Sequence, residues 1–119
     1  MRILVVDDSS FMRNIVRAVL EKAGHQVIGE ASNGQEAISQ YKDLNPELVI
    51  MDNTMPILSG IESLKEILNY NAHAKVIMCS ATGQKAIIEE SIRYGAKGFI
   101  TKPFKEALIL DEVAKMCYI

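Results

Sequence analysis

The chain has 119 residues, which is long enough for one domain with its own core and too short for two. Hydrophobic residues make up 49% and charged residues 24%, and the net charge of −2 comes from 13 basic and 15 acidic side chains spread along the chain. No basic stripe indicates nucleic-acid binding, and no apolar run approaches the roughly 18 residues of a membrane span. Asp7 and Asp8 interrupt the N-terminal apolar run before it could serve a signal peptide, so we expect a cytoplasmic protein.

Taken in chain order, five short apolar runs alternate with five stretches of helical periodicity. The predicted strands are 2–6, 27–30, 47–51, 75–79 and 97–100. The predicted helices are 10–23, 34–43, a segment that follows a capping box at 59–62, 84–94 and 105–116. This alternation predicts a single α/β domain, 1–119, in which a five-stranded parallel sheet carries five helices on both faces.

The spacing of apolar residues predicts which side of each helix meets the sheet. The inward positions are Met12, Ile15, Val16, Val19, Leu20 and Ala23 in the first helix, Ile88 and Ile92 in the fourth, and Ile109, Val113 and Met116 in the fifth. Cys79 and Cys117 stand in apolar settings without a C-x-x-C spacing. We therefore expect both cysteines to fill the core rather than form a disulfide or bind a metal.

Two of the predicted strands end on carboxylates. The first ends on Asp7 and Asp8, and the third ends on Asp52. The carboxyl ends of parallel strands share one edge of the sheet, where ligands bind in open α/β folds. Three carboxylates at that edge repel one another unless a cation is bound or a pKa is displaced, and oxygen ligands of this kind favour Mg²⁺. For Asp52 taken alone, a turn or a helix cap is an equally good explanation.

The fourth and fifth strands also end on polar residues, Ser80 and Lys102. With the carboxylates, they favour phosphoryl transfer: Asp52 would attack the phosphoryl group, while Mg²⁺ and Lys102 would offset its repulsion from the incoming phosphoanion. Ser80 would donate a hydrogen bond to a phosphoryl oxygen. Taken singly, Lys102 is more often a solvated surface lysine, and Ser80 is more often a turn residue or a cap.

The chain carries a series of short motifs in a fixed order. They are Asp7-Asp8, Asp52 with Met55-Pro56 and Gly60, Ser80-Ala81, Gly95-Ala96 and Lys102-Pro103-Phe104. Together they resemble the receiver domain of two-component response regulators over essentially the whole chain. The resemblance implies a flavodoxin-like receiver fold with strand order 2-1-3-4-5, and phosphorylation of Asp52 by a histidine kinase. It also implies that Asp7, Asp8, Asp52 and the backbone carbonyl of Thr54 bind Mg²⁺ and that Lys102 contacts the phosphoryl group.

The same resemblance implies how the signal would be produced. Ser80 stands where the family has a Ser or Thr, and Phe99 stands where it has a switch aromatic, often Tyr. Phe99 lacks the tyrosine hydroxyl, but a rotamer switch driven by burial does not need one. Thr54 and Thr82 match positions that tune the phosphoryl lifetime. The protein would then be a signalling phosphoacceptor with slow self-dephosphorylation, not an enzyme.

Two stretches, 7–13 and 79–84, resemble single-domain chemotaxis regulators that act on the flagellar switch. Because the chain ends directly after the last predicted helix, we expect a stand-alone regulator. Its expected partners are a histidine kinase, a target such as a flagellar switch component, and a phosphatase. A phosphorelay intermediate and a receiver from a longer transcriptional regulator remain alternatives. Among other classes, a phosphohydrolase would need an acid at Thr54, and a flavin-binding electron carrier would have its phosphate repelled by Asp7 and Asp8.

Overall fold

The computed structural model describes residues 1–81 and 84–118. Within these ranges, five strands and five helices alternate. The strands are β1 Arg2–Val6, β2 Gln26–Ala31, β3 Leu48–Asp52, β4 Val76–Ala81 and β5 Gly98–Lys102. The helices are α1 Ser10–Lys22, α2 Gly34–Leu44, α3 Gly60–Tyr70, α4 Lys85–Arg93 and α5 Glu106–Met116. The strands form one sheet in the order β2-β1-β3-β4-β5 with all pairs parallel, so the predicted fold class and strand order are confirmed.

The core lies on both faces of the sheet because the central strands are buried on both sides. On one face, Ile3, Ile50 and Ile77 belong to a cluster with residues of α1 and α5. On the other face, Leu4, Val49 and Met78 belong to a cluster with residues of α2 and α3. Alternate residues of each strand therefore serve opposite layers, and helices cover both faces as predicted.

Side-chain caps begin three of the helices, and the one at Ser59 was predicted from the sequence. The Ser9 hydroxyl accepts from the Met12 amide at the start of α1, and Asn33 Oδ1 accepts from the Glu36 amide at the start of α2. The Ser59 hydroxyl accepts from the Glu62 amide at the start of α3. These bonds satisfy backbone donors that have no partner within the helix, and they set where each helix leaves the carboxyl edge of the sheet.

Four strands extend further at their carboxyl ends than the apolar pattern predicts. β2 includes Ala31, β3 includes Asp52, β4 includes Ser80 and Ala81, and β5 includes Thr101 and Lys102. The sheet continues because pairing is made by backbone groups, which do not depend on side-chain polarity: Asp52 aligns with Cys79, and Ala81 aligns with Lys102. Asp52, Ser80 and Lys102 therefore belong to the sheet itself, which holds them more firmly than a loop would, whereas Asp7 and Asp8 directly follow β1.

Three predictions about burial are wrong. Ile92 is 46% exposed, because Ser91 occupies the inward position of α4 and Ile92 follows about 100° further round the helix. Ser91 can be buried there because its hydroxyl donates to the Ile87 carbonyl. Ala23 and Cys117 are exposed, since they cap the C-terminal ends of α1 and α5 beyond the last inward-facing turn. Cys79 is buried as predicted.

No helix among the described residues is both long and apolar enough to cross a membrane.

Candidate functional site

Three carboxylates meet at the carboxyl edge of the sheet. β1 and β3 are neighbours, with Val6 aligned to Met51, so Asp7 lies beside Asp52. One oxygen from each of Asp7, Asp8 and Asp52 lies within 4.8 Å of the others. Asp7 and Asp52 are only 4% and 5% exposed, whereas Asp8 is exposed. We call these three residues the acidic pocket.

Lys102 reaches the acidic pocket from β5, two strands away from Asp52. The Lys102–Pro103 peptide bond that follows it is cis. The Lys102 ammonium nitrogen lies 3.1 Å from Asp7 Oδ2 and 3.2 Å from Asp52 Oδ1, with 21% of the side chain exposed. A single cation therefore bridges the two buried carboxylates, which makes Lys102 part of the site and not a solvated surface lysine.

The two members of the ion pair have pKa values displaced in the same direction for different reasons. Burial, and then the negative charge of Asp7, raises the pKa of the Asp52 carboxyl, although Lys102 and a hydrogen bond from the Thr54 amide oppose that rise. Burial lowers the pKa of the Lys102 ammonium, but Asp52 and Asp7 outweigh it, so the net pKa is raised. The pocket thus favours the charged lysine, and it penalises the negative charge on Asp52 because that carboxylate is more deeply buried and faces a second acid.

Ser80 is buried on β4, the strand between those that carry Asp52 and Lys102, and its hydroxyl is unsatisfied among the described residues. Its residue is 2% exposed, and its Oγ has no hydrogen-bond partner within residues 1–81 and 84–118. It lies on β4, one residue beyond the Cys79 that aligns with Asp52. A buried hydroxyl without a partner costs about 1–3 kcal/mol, so a ligand oxygen placed here would relieve an existing penalty.

The chain matches the family model of the response regulator receiver domain over residues 3–114. It belongs to that family. It is also 47% identical over 115 residues to the chemotaxis protein CheY of Thermotoga maritima, covering 97% of this chain and 96% of the relative. Protein CcdB of Bacillus subtilis is 49% identical over 115 residues with the same coverage.

A solved structure shares the fold of this receiver domain. A chain of the CheX-CheY-BeF3-Mg+2 complex from Borrelia burgdorferi superposes with a TM-score of 0.94 at 34% identity, covering all of this chain and 90% of that one. Receiver domains take part in phosphorylation-dependent response-regulator signalling and are not classical enzymes. The family assignment favours the receiver interpretation over the flavin-carrier and phosphohydrolase alternatives.

The acidic pocket of this receiver fits a hard divalent cation. It offers carboxylate oxygens only, all from the same edge of the sheet, and its negative charge exceeds the single positive charge of Lys102. Mg²⁺ prefers oxygen ligands and binds through one or two carboxylates, with water or phosphate oxygens completing its coordination. The exposed position of Asp8 leaves one side of the pocket open to such additional ligands.

Of the remaining predicted site residues, Thr54 lies next to Asp52, whereas Phe99 lies apart from the acidic pocket. Thr54 is exposed two residues beyond Asp52, and its amide donates to the Asp52 carboxylate. Phe99 of β5 aligns with Met78 of β4 and is 39% exposed. It lines a groove of about 250 Å³ that Leu108 of α5 also lines. Thr82 lies outside the described residues. The structure thus brings Asp7, Asp8, Asp52 and Lys102 into one cluster and leaves Phe99 on the outer side of β5.

Sequence reasoning missed the structural role of two residues at the receiver site. Gly60 begins α3 against the backbone of Asp52: a Cβ at Gly60 would lie 2.4 Å from the Asp52 carbonyl oxygen and 2.7 Å from Asn53 Cα. Only glycine allows this approach. Arg13 of α1 donates to the Asp7 carbonyl oxygen and pairs with Glu30 of β2. A basic residue one turn into the helix that follows an acidic pair is a usable signal for such a contact.

Proposed function

We propose that residues 1–119 form one receiver domain that accepts a phosphoryl group on Asp52 from the phosphohistidine of a histidine kinase, and that phosphorylation changes which partners it binds. The buried Asp52–Lys102 pair at the edge of the sheet is the observation that carries this proposal. A buried carboxylate that retains a cation and faces two further acids is unusual as structural filler. This arrangement suits a carboxylate to which a negatively charged phosphoryl group is to be added, because a cation is already in place beside it.

The transfer follows from the groups in the pocket. An Asp52 carboxylate oxygen attacks phosphorus, an O–P bond forms, and the P–N bond breaks with its electron pair passing to the histidine nitrogen. Lys102 stays close to the new phosphoryl oxygens and offsets their charge, since its ammonium already lies 3.2 Å from Asp52 Oδ1. Asp7, Asp8, Asp52 and the Thr54 carbonyl would hold Mg²⁺, which supplies further charge neutralisation when bound.

Ser80 and Phe99 would convert the chemical change into a conformational one. The unsatisfied Ser80 hydroxyl would donate to a phosphoryl oxygen, drawing the end of β4 toward Asp52. Phe99 is on the neighbouring strand and is 39% exposed, so a change of rotamer into space freed beside β4 would bury apolar area. The phosphoryl group then biases a two-state element, and the surface formed by α4, β5 and α5 changes with it.

We infer a chemotaxis-type regulator that works in the cytoplasm. The inference rests on the resemblance to CheY proteins along almost the full length of both chains. Its partners would be a histidine kinase, a downstream target such as a flagellar switch component, and a phosphatase. The similar Borrelia burgdorferi CheY was solved in a complex with a partner protein, CheX. The polar side chains of Thr54 and Thr82 would leave water some access to the phosphoryl group, giving slow self-dephosphorylation. A phosphorelay intermediate or a receiver within a longer regulator is the alternative.

The phosphoacceptor assignment is tested by incubation with acetyl phosphate and Mg²⁺, followed by intact-mass analysis. Wild-type protein should gain one phosphoryl group, and Asp52→Asn should gain none. Asp43→Asn is the matched control, because Asp43 is an exposed carboxylate on α2. Undiminished labelling of the Asp52→Asn protein would move the phosphoacceptor to another residue and end this proposal.

The switch assignment needs a separate variant. Ser80→Ala should still be phosphorylated on Asp52, because Ser80 is not the nucleophile, but the Phe99 ring resonances in NMR spectra should no longer shift on addition of beryllofluoride and Mg²⁺. The wild-type resonances should shift under the same conditions. Equal shifts in both proteins would show that Ser80 does not couple the two sites.

A further inference from the structure

The peptide units on either side of Asp7 are both tied to β2. The Asp7 amide donates to the Ala31 carbonyl of β2 at 3.0 Å. The Asp7 carbonyl accepts from Arg13 Nη1 at 2.6 Å, and Arg13 Nε donates to Glu30 Oε1 at 3.0 Å. The Arg13 bridge leads to Glu30 and the backbone bond leads to Ala31. The end of β1 is therefore connected to two adjacent residues of β2.

The charge of this bridge is balanced within its own network. Arg17, one turn after Arg13, pairs with the other oxygen of Glu30 and lies 3.4 Å from Glu21. Two guanidinium groups thus face two carboxylates. The Arg13 side chain is 18% exposed and that of Glu30 is 26% exposed, so the contact is partly shielded from water. Arg13 can therefore lie beside the acidic pocket without adding net positive charge that would oppose a bound cation.

The two acids at the end of β1 differ in how they are held. The Asp7 side chain accepts from the Ser9 amide at 2.9 Å and from Lys102 at 3.1 Å. Asp8 is exposed, and it makes no hydrogen bond or ion pair with the described residues 1–81 and 84–118. The direction in which Asp8 leaves the backbone therefore depends on the orientation of the preceding peptide unit, whose oxygen is the group that Arg13 binds.

We propose that Arg13 is a positioning residue, whose guanidinium presets the Asp7–Asp8 turn so that the acidic pocket binds a divalent cation. The inference rests on the metal site of the proposed function and adds a residue outside the pocket to it. Because a cation binds more tightly when its ligands need not be reoriented, loss of the contact should weaken binding. Electrostatics alone predicts the opposite, since removing a positive charge near an acidic pocket should tighten cation binding.

The opposite signs make the test decisive. Mg²⁺ affinity is measured by isothermal titration calorimetry at fixed ionic strength for wild type, Arg13→Met and Arg17→Met. Arg17→Met is the matched control, because it removes the same charge from the same Glu30 without touching Asp7. We expect Arg13→Met to bind Mg²⁺ about tenfold more weakly, at the low end of the effect of losing an outer-shell partner. Arg17→Met should bind as tightly as wild type or slightly more tightly.

Unchanged or tighter binding by Arg13→Met overturns the proposal, and so does equal weakening in both variants, since that would reflect a general loss of helix α1 packing. If Arg13→Met does not fold by circular dichroism, Arg13→Lys decides the question. Its charge equals that of wild type, but one ammonium cannot reproduce the two directed bonds of the guanidinium, so positioning predicts weaker binding and charge alone predicts no change. Absence of Mg²⁺ binding by wild type, or binding unaffected by Asp8→Asn, would instead refute the metal site of the proposed function and this inference with it.

Discussion

Replacement of Lys102 by Met tests how far the acidic pocket depends on its internal cation. Lys102 lies 3.1 Å from Asp7 and 3.2 Å from Asp52, and both carboxylates are at least nine-tenths buried. An exposed ion pair contributes about 0–1 kcal/mol, whereas removing one partner of a buried pair costs about 3–5 kcal/mol. Only about one-fifth of the Lys102 side chain is exposed, so the loss of stability on its removal should be closer to the value for a buried pair than to that for an exposed pair.

Proton uptake limits the loss. The pKa of Asp52 is already raised by burial and by Asp7, and without Lys102 it would rise further, so that the carboxyl takes up a proton instead of remaining as an uncompensated charge. We therefore expect Lys102→Met to lower the free energy of unfolding by about 2–3 kcal/mol at pH 7 without divalent cations. The measurement is urea unfolding followed by circular dichroism. Lys97→Met is the control, because Lys97 is exposed and directly precedes β5, at the end of that strand opposite to Lys102.

Two conditions should shrink the difference between Lys102→Met and wild type. As the pH falls through the raised pKa of Asp52, this carboxyl takes up a proton in wild type as well, so little repulsion remains for Lys102 to relieve. Saturating Mg²⁺ should also shrink it, because the variant, lacking the competing ammonium, gains more from binding the cation. A loss below about 0.5 kcal/mol at pH 7, or a loss of the same size with and without Mg²⁺, would refute the idea that Lys102 holds two repelling carboxylates together.

Three further outcomes follow from the same geometry. Asp52→Asn should be more stable than wild type at neutral pH without Mg²⁺. Because the pKa of Asp52 is raised, the folded wild type binds the proton more tightly than the unfolded chain, and its stability falls as the pH rises through the folded pKa. The free energies of unfolding of the two proteins should therefore converge below the ordinary carboxyl pKa. Gly60→Ala should lower the free energy of unfolding by about 2 kcal/mol and slow acetyl phosphate labelling, since its Cβ would strike the Asp52 carbonyl; normal labelling would show that α3 can shift without disturbing the acceptor. Ile57→Asn should raise the free energy of unfolding by about 1 kcal/mol, because Ile57 has φ 69 and is 78% exposed, and Asn tolerates the left-handed region better than a β-branched residue; a loss of stability in thermal unfolding would show that this side chain has a packing role.

The amino-acid pattern alone determined the architecture of this protein and the set of residues from which its site is built. Apolar runs that end on Asp8, Asp52, Ser80 and Lys102 predict parallel strands whose polar ends share one edge, and the motifs predict the strand order through family resemblance. These inferences succeed because burial on both faces of a strand and the direction of parallel crossovers leave few alternatives for so short a chain.

Tertiary structure decided what these residues do to one another. Lys102 bridges two carboxylates at the ends of other strands, and Arg13 of α1 contacts Asp7 at the end of β1. The Ser80 hydroxyl is left without a partner among the described residues by the way its neighbouring elements pack. No local sequence pattern encodes such distances. The burial of α4 was decided in the same way, because the inward position went to Ser91, which has a backbone acceptor, and not to the more apolar Ile92. Periodicity reports which side of an element is apolar, but charge balance and hydrogen bonding at the edge of the sheet depend on which elements meet there.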